Sequence, residues 1–188
     1  MKIETIEIAG FAGALTALRL PFGKEVRSRI ETDNYWNDGM DRPTAIWHNE
    51  TDIELDPYDE ILMTTLVKRG DEHAKVVRGI MVWAKITAPV YWWCEEETYR
   101  MGHERLASES TMHIDCRGLS GSELQEAKSA IPMGKELTKV DMFSYQALRK
   151  MVAQRHNHRL PEWHQFIDWI KTLPLAEELI FVGLNLEE

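Results

Sequence analysis

Residues 88–113, APVYWWCEEETYRMGHERLASESTMH, decide how the chain is read. Tyr91, Trp92 and Trp93 stand beside Glu95, Glu96 and Glu97, and a mixed run of Arg, His, Ser and Thr follows. No simple amphipathic helix needs that composition. The preceding IMVWAKITAP, rich in branched and aromatic residues, reads as a strand ended before Pro89. A helix from 90 to about 102 then puts Trp92, Glu95, Glu96 and Tyr99 on one side, by steps of three and four. Two readings stay open for that side. Aromatics beside hydrogen-bonding groups suit a planar ring, with stacking on its face and polar readout of its edge. Alternatively, the aromatics are core and the carboxylates are solvated. Three consecutive glutamates are costly to bury, so at most one or two point inward.

Working outward, KIETIEIAG alternates Ile with polar residues and reads as a half-buried strand ended by Gly10. FAGALTALRLP has helical spacing and stops at Pro21. Residues 22–54 carry NDGMDRP and HNETD and read as a loop-rich insertion able to cover a site. DPYDEILMTTLVKRG is a helix opened by Asp56 and Pro57 and closed by Gly70. Ser122 is the candidate N-cap of ELQEAKSAI. DMFSYQALRKMVAQRHNHRL reads as one long helix with Phe143, Leu148, Met151 and Val152 near one face, and PEWHQFIDWIKTL as another. The fold class is α+β, a single domain with one small sheet and five or six helices.

Composition narrows the partners. A net charge of −9 argues against duplex nucleic acid, which asks for a broad basic face. No apolar run reaches membrane-spanning length, and the first residues lack a signal peptide's apolar stretch. Cys94 and Cys116 make no disulfide framework and read as reduced, which fits the cytoplasm.

The basic residues gather late: Arg149, Lys150, Arg155, His156, His158 and Arg159. On a helix they either clamp a phosphate, since guanidinium makes bidentate charge-assisted contacts, or form a solvated face. Ser108, Ser110, Thr111 and His113 offer hydrogen-bond donors, but no nucleophile elbow accompanies them. His103, His113 and Cys116 invite a metal reading, yet their spacings match no zinc pattern, and no metal ligand is assigned.

The order strand, Pro, aromatic helix, Arg, seven residues, Ser resembles the signature of the flavin-dependent thymidylate synthases (ThyX), which is Arg-His-Arg, seven residues, Ser. Here the chain reads Thr98-Tyr99-Arg100, MGHERLA, Ser108. The approach LVKRGDEHAKVVRGIMVWAKITAP is similar to the family's lead-in, and LRKMVAQRHNHR to its Leu-Arg followed by Ala-Gln and a basic residue. The likeness spans about residues 58–175, and YWW…TYR with STMH looks like a phage-type branch. It implies an α+β fold, homotetramers with sites between subunits, FAD, NADPH and methylenetetrahydrofolate as cofactors, and a pyrimidine nucleotide methylated at C5.

Carried over by position, Arg100 and Arg149 face the flavin, Ser108 lies near the nucleotide, and Arg159 or His158 lies near the phosphate-holding residue; the aromatic reading adds Trp92, Trp93 and Tyr99 as walls of a planar ring. Arg155, His158 and Arg159 hold phosphate, and Ser108, Glu95, Ser110 and His113 read or polarise the base. Thr98 and Tyr99 stand where the family has Arg and His, Glu95 where it has a Gln, and Ser110 where it has an Arg. A carboxylate at 95 prefers a ring that offers N–H donors. The implied activity is a flavin-dependent C5 methyl- or hydroxymethyltransfer. The alternatives are a non-catalytic nucleotide-binding or structural oligomer of the same descent, and an unrelated metal protein using His103, His113 and Cys116.

Overall fold

The computed structural model describes residues 1–35 and 47–186, with side chains omitted for 31–49 and for 51 and 52. The fold is α+β. Its centre is a four-stranded antiparallel sheet, in the order β1-β4-β6-β5, built from β1 (Lys2–Ala9), β4 (Met81–Pro89), β5 (His103–Ser108) and β6 (Glu136–Ser144). The inward positions of β4 are Val82, Ala84, Ile86 and Ala88, each at 0% exposure. They make the core floor, onto which α1 (Phe11–Arg19), α6 (Tyr145–Arg155) and α7 (Pro161–Ile170) pack Leu15, Leu148, Met151, Phe166 and Ile170. No helix among the described residues is long and apolar enough to cross a membrane.

Capping chemistry sets several boundaries. The Asp56 side chain accepts from the Tyr58 N–H at 3.0 Å and Pro57 occupies the first turn of α2 (Pro57–Lys68). Gly10 turns β1 into α1 at φ 104°, and a Cβ there would sit 2.0 Å from the Gly79 carbonyl oxygen. Arg19 and the fully buried Asp59 pair between α1 and α2, and Asp59 also accepts from the Ser28 N–H at 3.1 Å.

Four expectations are corrected. Within 22–54, β2 (Arg29–Tyr35) and β3 (Trp47–Glu54) pair antiparallel, and the Phe11 N–H donates to the Glu50 carboxylate at 2.6 Å; NDGMDRP lies outside the described residues. The helix after Pro89 stops early: α3 is Val90–Glu96, and β5 follows. DMFS is the end of β6, so α6 begins at Tyr145, with the Ser144 side chain accepting from the Ala147 N–H at 3.1 Å. Finally, α5 (Gly121–Ser129) is capped at Ser120 rather than Ser122. The short α4 (Thr111–Ile114) links β5 to it.

Candidate functional site

The helix α3 rests on β5 and β6, and its two faces carry different chemistry. Its first N–H groups are satisfied from outside: Val90 donates to the Lys135 carbonyl and Tyr91 to the Met133 carbonyl, both at 3.0 Å. Trp92, Trp93 and Glu96 point inward, at 0%, 1% and 0% exposure, while Glu95 stays half-buried on the other side.

On the outer side, Glu95 is the meeting point of three donors. Its Oε2 lies 3.3 Å from Arg155 Nη1, 2.9 Å from Trp163 Nε1 and 3.2 Å from His158 Nε2. Arg155 Nε donates to the Tyr99 hydroxyl at 2.8 Å, and its guanidinium lies 4.9 Å from the Trp163 ring centroid. The Leu160 N–H donates to His158 Nδ1 at 3.2 Å, so the Nε2 proton faces Glu95 and the ring is satisfied while neutral. Among the described residues no hydrogen bond reaches Glu95 Oε1.

On the inner side, Glu96 meets two strands at once. The register pairs His103 with Phe143 and Arg105 with Asp141. Alternation then turns His103, Arg105, Lys139, Asp141 and Phe143 to the face under α3. Arg105 donates to Glu96, Glu97 and Asp141, the last at 3.1 Å through Nε. His103 Nε2 lies 3.0 Å from Glu96 Oε1 and 3.3 Å from Asp141 Oδ2, and its ring stacks on Phe143 at 4.7 Å. Burial pushes the Glu96 carboxyl up to about 7, against the pull of His103 and Arg105. Burial lowers His103, but the facing Asp141 and Glu96 carboxylates outweigh it, so its pKa is raised. Trp93 is the floor: its indole N–H donates to the Ala88 and Leu137 carbonyls, and Lys139 Nζ lies 4.4 Å from its ring centroid.

Of the residues singled out in the sequence, the fold gathers Glu95, Tyr99, Arg155 and His158. Trp92 lies wholly inside an aromatic core, 5.1 Å from Trp163 and 5.5 Å from Phe166 between ring centroids, so it is a packing residue rather than the wall of a ligand site. The basic stripe is dispersed. Arg149 Nη1 donates to the Ile180 and Val182 carbonyls at 2.8 and 2.7 Å, tying down the turn Glu177–Phe181, and Lys150 pairs with Asp71 at 3.2 Å. Arg100 and Arg159 are exposed, and no hydrogen bond or ion pair engages either among the described residues. Ser108 ends β5 and donates to the Glu109 carbonyl at 3.0 Å, Ser110 stands at the N-cap position of α4 without a side-chain cap hydrogen bond, and His113 is exposed on it; none of the three joins the Glu95 group. His103 meets Glu96 and Asp141 instead of His113 and Cys116.

Arg105, Asp141 and Trp163 were not foreseen as site residues, and Glu96, expected on the same side as Glu95, turns inward instead. A signal existed: Trp92, Trp93 and Glu96 share one helical face, and His103 and Arg105 share one strand face.

An apolar groove of about 500 Å³ runs between α1 and residues 73–79, lined by Ala14, Ala17, Leu66 and Val76; no foreseen site residue lines it.

Against known proteins, no family model and no curated sequence matches the chain. Solved structures do. The flavin-dependent thymidylate synthase ThyX of Helicobacter pylori, solved with FAD and dUMP, superposes with a TM-score of 0.66 at 10% identity, over 98% of this chain and 99% of that one. The UMP/dUMP methylase PolB of Streptomyces cacaoi, bound with 5-Br dUMP, gives 0.60 at 11% identity over 98% and 93%. The chain therefore has the fold of the flavin-dependent thymidylate synthases, as the resemblance carried by Thr98-Tyr99-Arg100 and Ser108 implied.

Proposed function

We propose that this chain is a ThyX-like protein that binds a pyrimidine nucleotide at the Glu95 group and modifies the base at C5. One observation carries the reading. Glu95, Tyr99, Arg155 and His158 come from two separate segments and meet in one half-exposed cluster, on a fold shared with proteins solved with dUMP. With Oε2 saturated by three donors, Oε1 of Glu95 is the acceptor left for a ring N–H or amino group. Arg159, unengaged among the described residues, is the cation for phosphate.

Of the four residues expected at a flavin, two are already engaged within one chain: Trp92 has no exposed surface, and Arg149 spends its Nη1 on two backbone carbonyls. In the enzyme reading the flavin lies where copies of the chain meet, and Arg100 is the residue left to reach it. The engagement of Trp92 and Arg149 favours a second reading, a nucleotide-binding oligomer of the same descent that holds no flavin.

Calorimetric titration with dUMP and with dCMP tests the nucleotide. Binding that weakens about tenfold or more in Glu95→Gln supports the site, at roughly 1.4 kcal/mol per tenfold. Unchanged affinity sinks it. A flavin absorbance that stays with the protein through gel filtration after FAD is added supports the enzyme; a colourless protein leaves the second reading standing.

A further inference from the structure

We propose that Glu96, His103 and Asp141 form a divalent metal site of the zinc type, joining the end of α3 to β5 and β6. It is independent of the nucleotide reading. His103 Nδ1 lies 2.7 Å from the Tyr99 carbonyl oxygen, which can only accept, so Nδ1 carries hydrogen. In the neutral ring, Nε2 is then a bare lone pair. It faces Glu96 Oε1 at 3.0 Å and Asp141 Oδ2 at 3.3 Å, both acceptors. Glu96 Oε1 and His103 Nε2 are buried without a hydrogen-bond partner. Three lone-pair donors converge on one point, where either a shared proton or a metal cation lies between them, and a metal satisfies all three at once.

The surroundings are those of a metal centre. The three ligand atoms lie within 4.8 Å of one another. Ligands of a tetrahedral zinc at about 2.0–2.1 Å sit roughly 3.3 Å apart, close to the two separations found. A ligating His characteristically donates its other N–H to a carbonyl, and ligating carboxylates are themselves hydrogen-bonded. Here the Tyr99 carbonyl fixes the tautomer, Phe143 fixes the ring plane at 7°, and Arg105 holds Glu96 Oε2 and Asp141 Oδ1, its Nη2 also reaching Asp141 Oδ2 at 3.3 Å. Two carboxylates against the one guanidinium of Arg105 leave one negative charge over, which is unfavourable to bury. One imidazole and two carboxylates suit zinc over calcium or magnesium, which take oxygen ligands.

The test is equilibrium dialysis of the chelator-stripped full chain against ZnCl₂, with Co²⁺ as the spectroscopic stand-in. The expected result is one metal per chain and visible cobalt bands of low-coordinate geometry. Both are lost in Glu96→Gln and in His103→Gln, with circular dichroism unchanged. Both persist in Glu95→Gln, which removes the nucleotide acceptor and not the metal. Substoichiometric metal, or binding unaffected by the two inner variants, overturns the proposal; a proton then bridges His103 to its carboxylates. If either inner variant fails to fold, Asp141→Asn supplies the same comparison.

Discussion

Glu95 and Glu96 are adjacent, and each meets a histidine and an arginine, yet the two groups are built on opposite terms. Glu95, with its side chain 33% exposed, meets a His158 satisfied in its neutral form and an Arg155 whose aromatic neighbours hold it in place. Glu96, at 0%, meets a His103 whose free nitrogen faces only acceptors. The outer group can exchange its partners for a ligand at small cost. The inner group cannot lose a partner without stranding a charge away from water. One half-turn of helix thus separates a surface suited to binding from a structural joint.

The sharpest way to break that contrast is to remove one arginine from each side. Arg105→Ala strands Glu96 and Asp141, and we expect a loss of about 3–5 kcal/mol in chemical denaturation, with much of the sample unfolded at 37 °C. Arg155→Ala removes a half-exposed pair and two cation–π contacts, and we expect about 1 kcal/mol. Equal losses would abolish the distinction.

Acidity separates the groups next. The folded metal-free chain holds the Glu96 proton more tightly than the unfolded chain does, since its pKa rises from 4.5 to about 7, largely through burial. That stabilisation is complete below about pH 4.5 and disappears as pH climbs through 7; taken alone it is worth roughly 3 kcal/mol. His103, also raised, has the same sign. Asp59 has the opposite sign: burial raises it, but Ser28 and Arg19 outweigh burial and lower it, so its contribution is lost in acid. Denaturant midpoints of stripped protein should fall between about pH 4.5 and pH 7.5. Glu96→Gln should flatten that fall, whereas Glu95→Gln should leave it intact. A fall that survives Glu96→Gln would assign it elsewhere.

The legibility of the sequence divides along the same line. The apolar alternation of KIETIEIAG and IMVWAKITAP, and the Asp56-Pro57 start with its Gly70 stop, were readable because apolar periodicity and caps report burial directly. β5 and β6 were not, because their inward positions are His103, Arg105, Lys139 and Asp141. Period-2 alternation is invisible when the buried half is charged. Phe143 was consequently credited to a helix, and the hairpin of β2 and β3 was hidden by Asp, Asn and Thr, which propensity assigns to turns. For the outer group, Glu95, Tyr99, Arg155 and His158 were named from spacing and resemblance. Their joining through Trp163 needed the packing of α7, which no local pattern reports.

The smallest perturbation asks how the outer group is held open. Tyr99→Phe deletes only the hydroxyl that accepts from Arg155 Nε at 2.8 Å and keeps the ring against Trp163, 6.0 Å away between centroids. The site is half-exposed, so water replaces the lost acceptor and stability should change by about 0.5 kcal/mol or less. Binding should change more. Arg155 reaches Tyr99 through Nε and Glu95 through Nη1, so the hydroxyl sets the angle at which the guanidinium meets Oε2. Without it the fork rotates toward Glu95 and can take both carboxylate oxygens, including the Oε1 assigned to the base. Pyrimidine nucleotide affinity should then fall severalfold in calorimetry while the denaturation midpoint stays in place. If both stay in place, Tyr99 is a packing residue and the orientation of Glu95 rests on His158 and Trp163 alone.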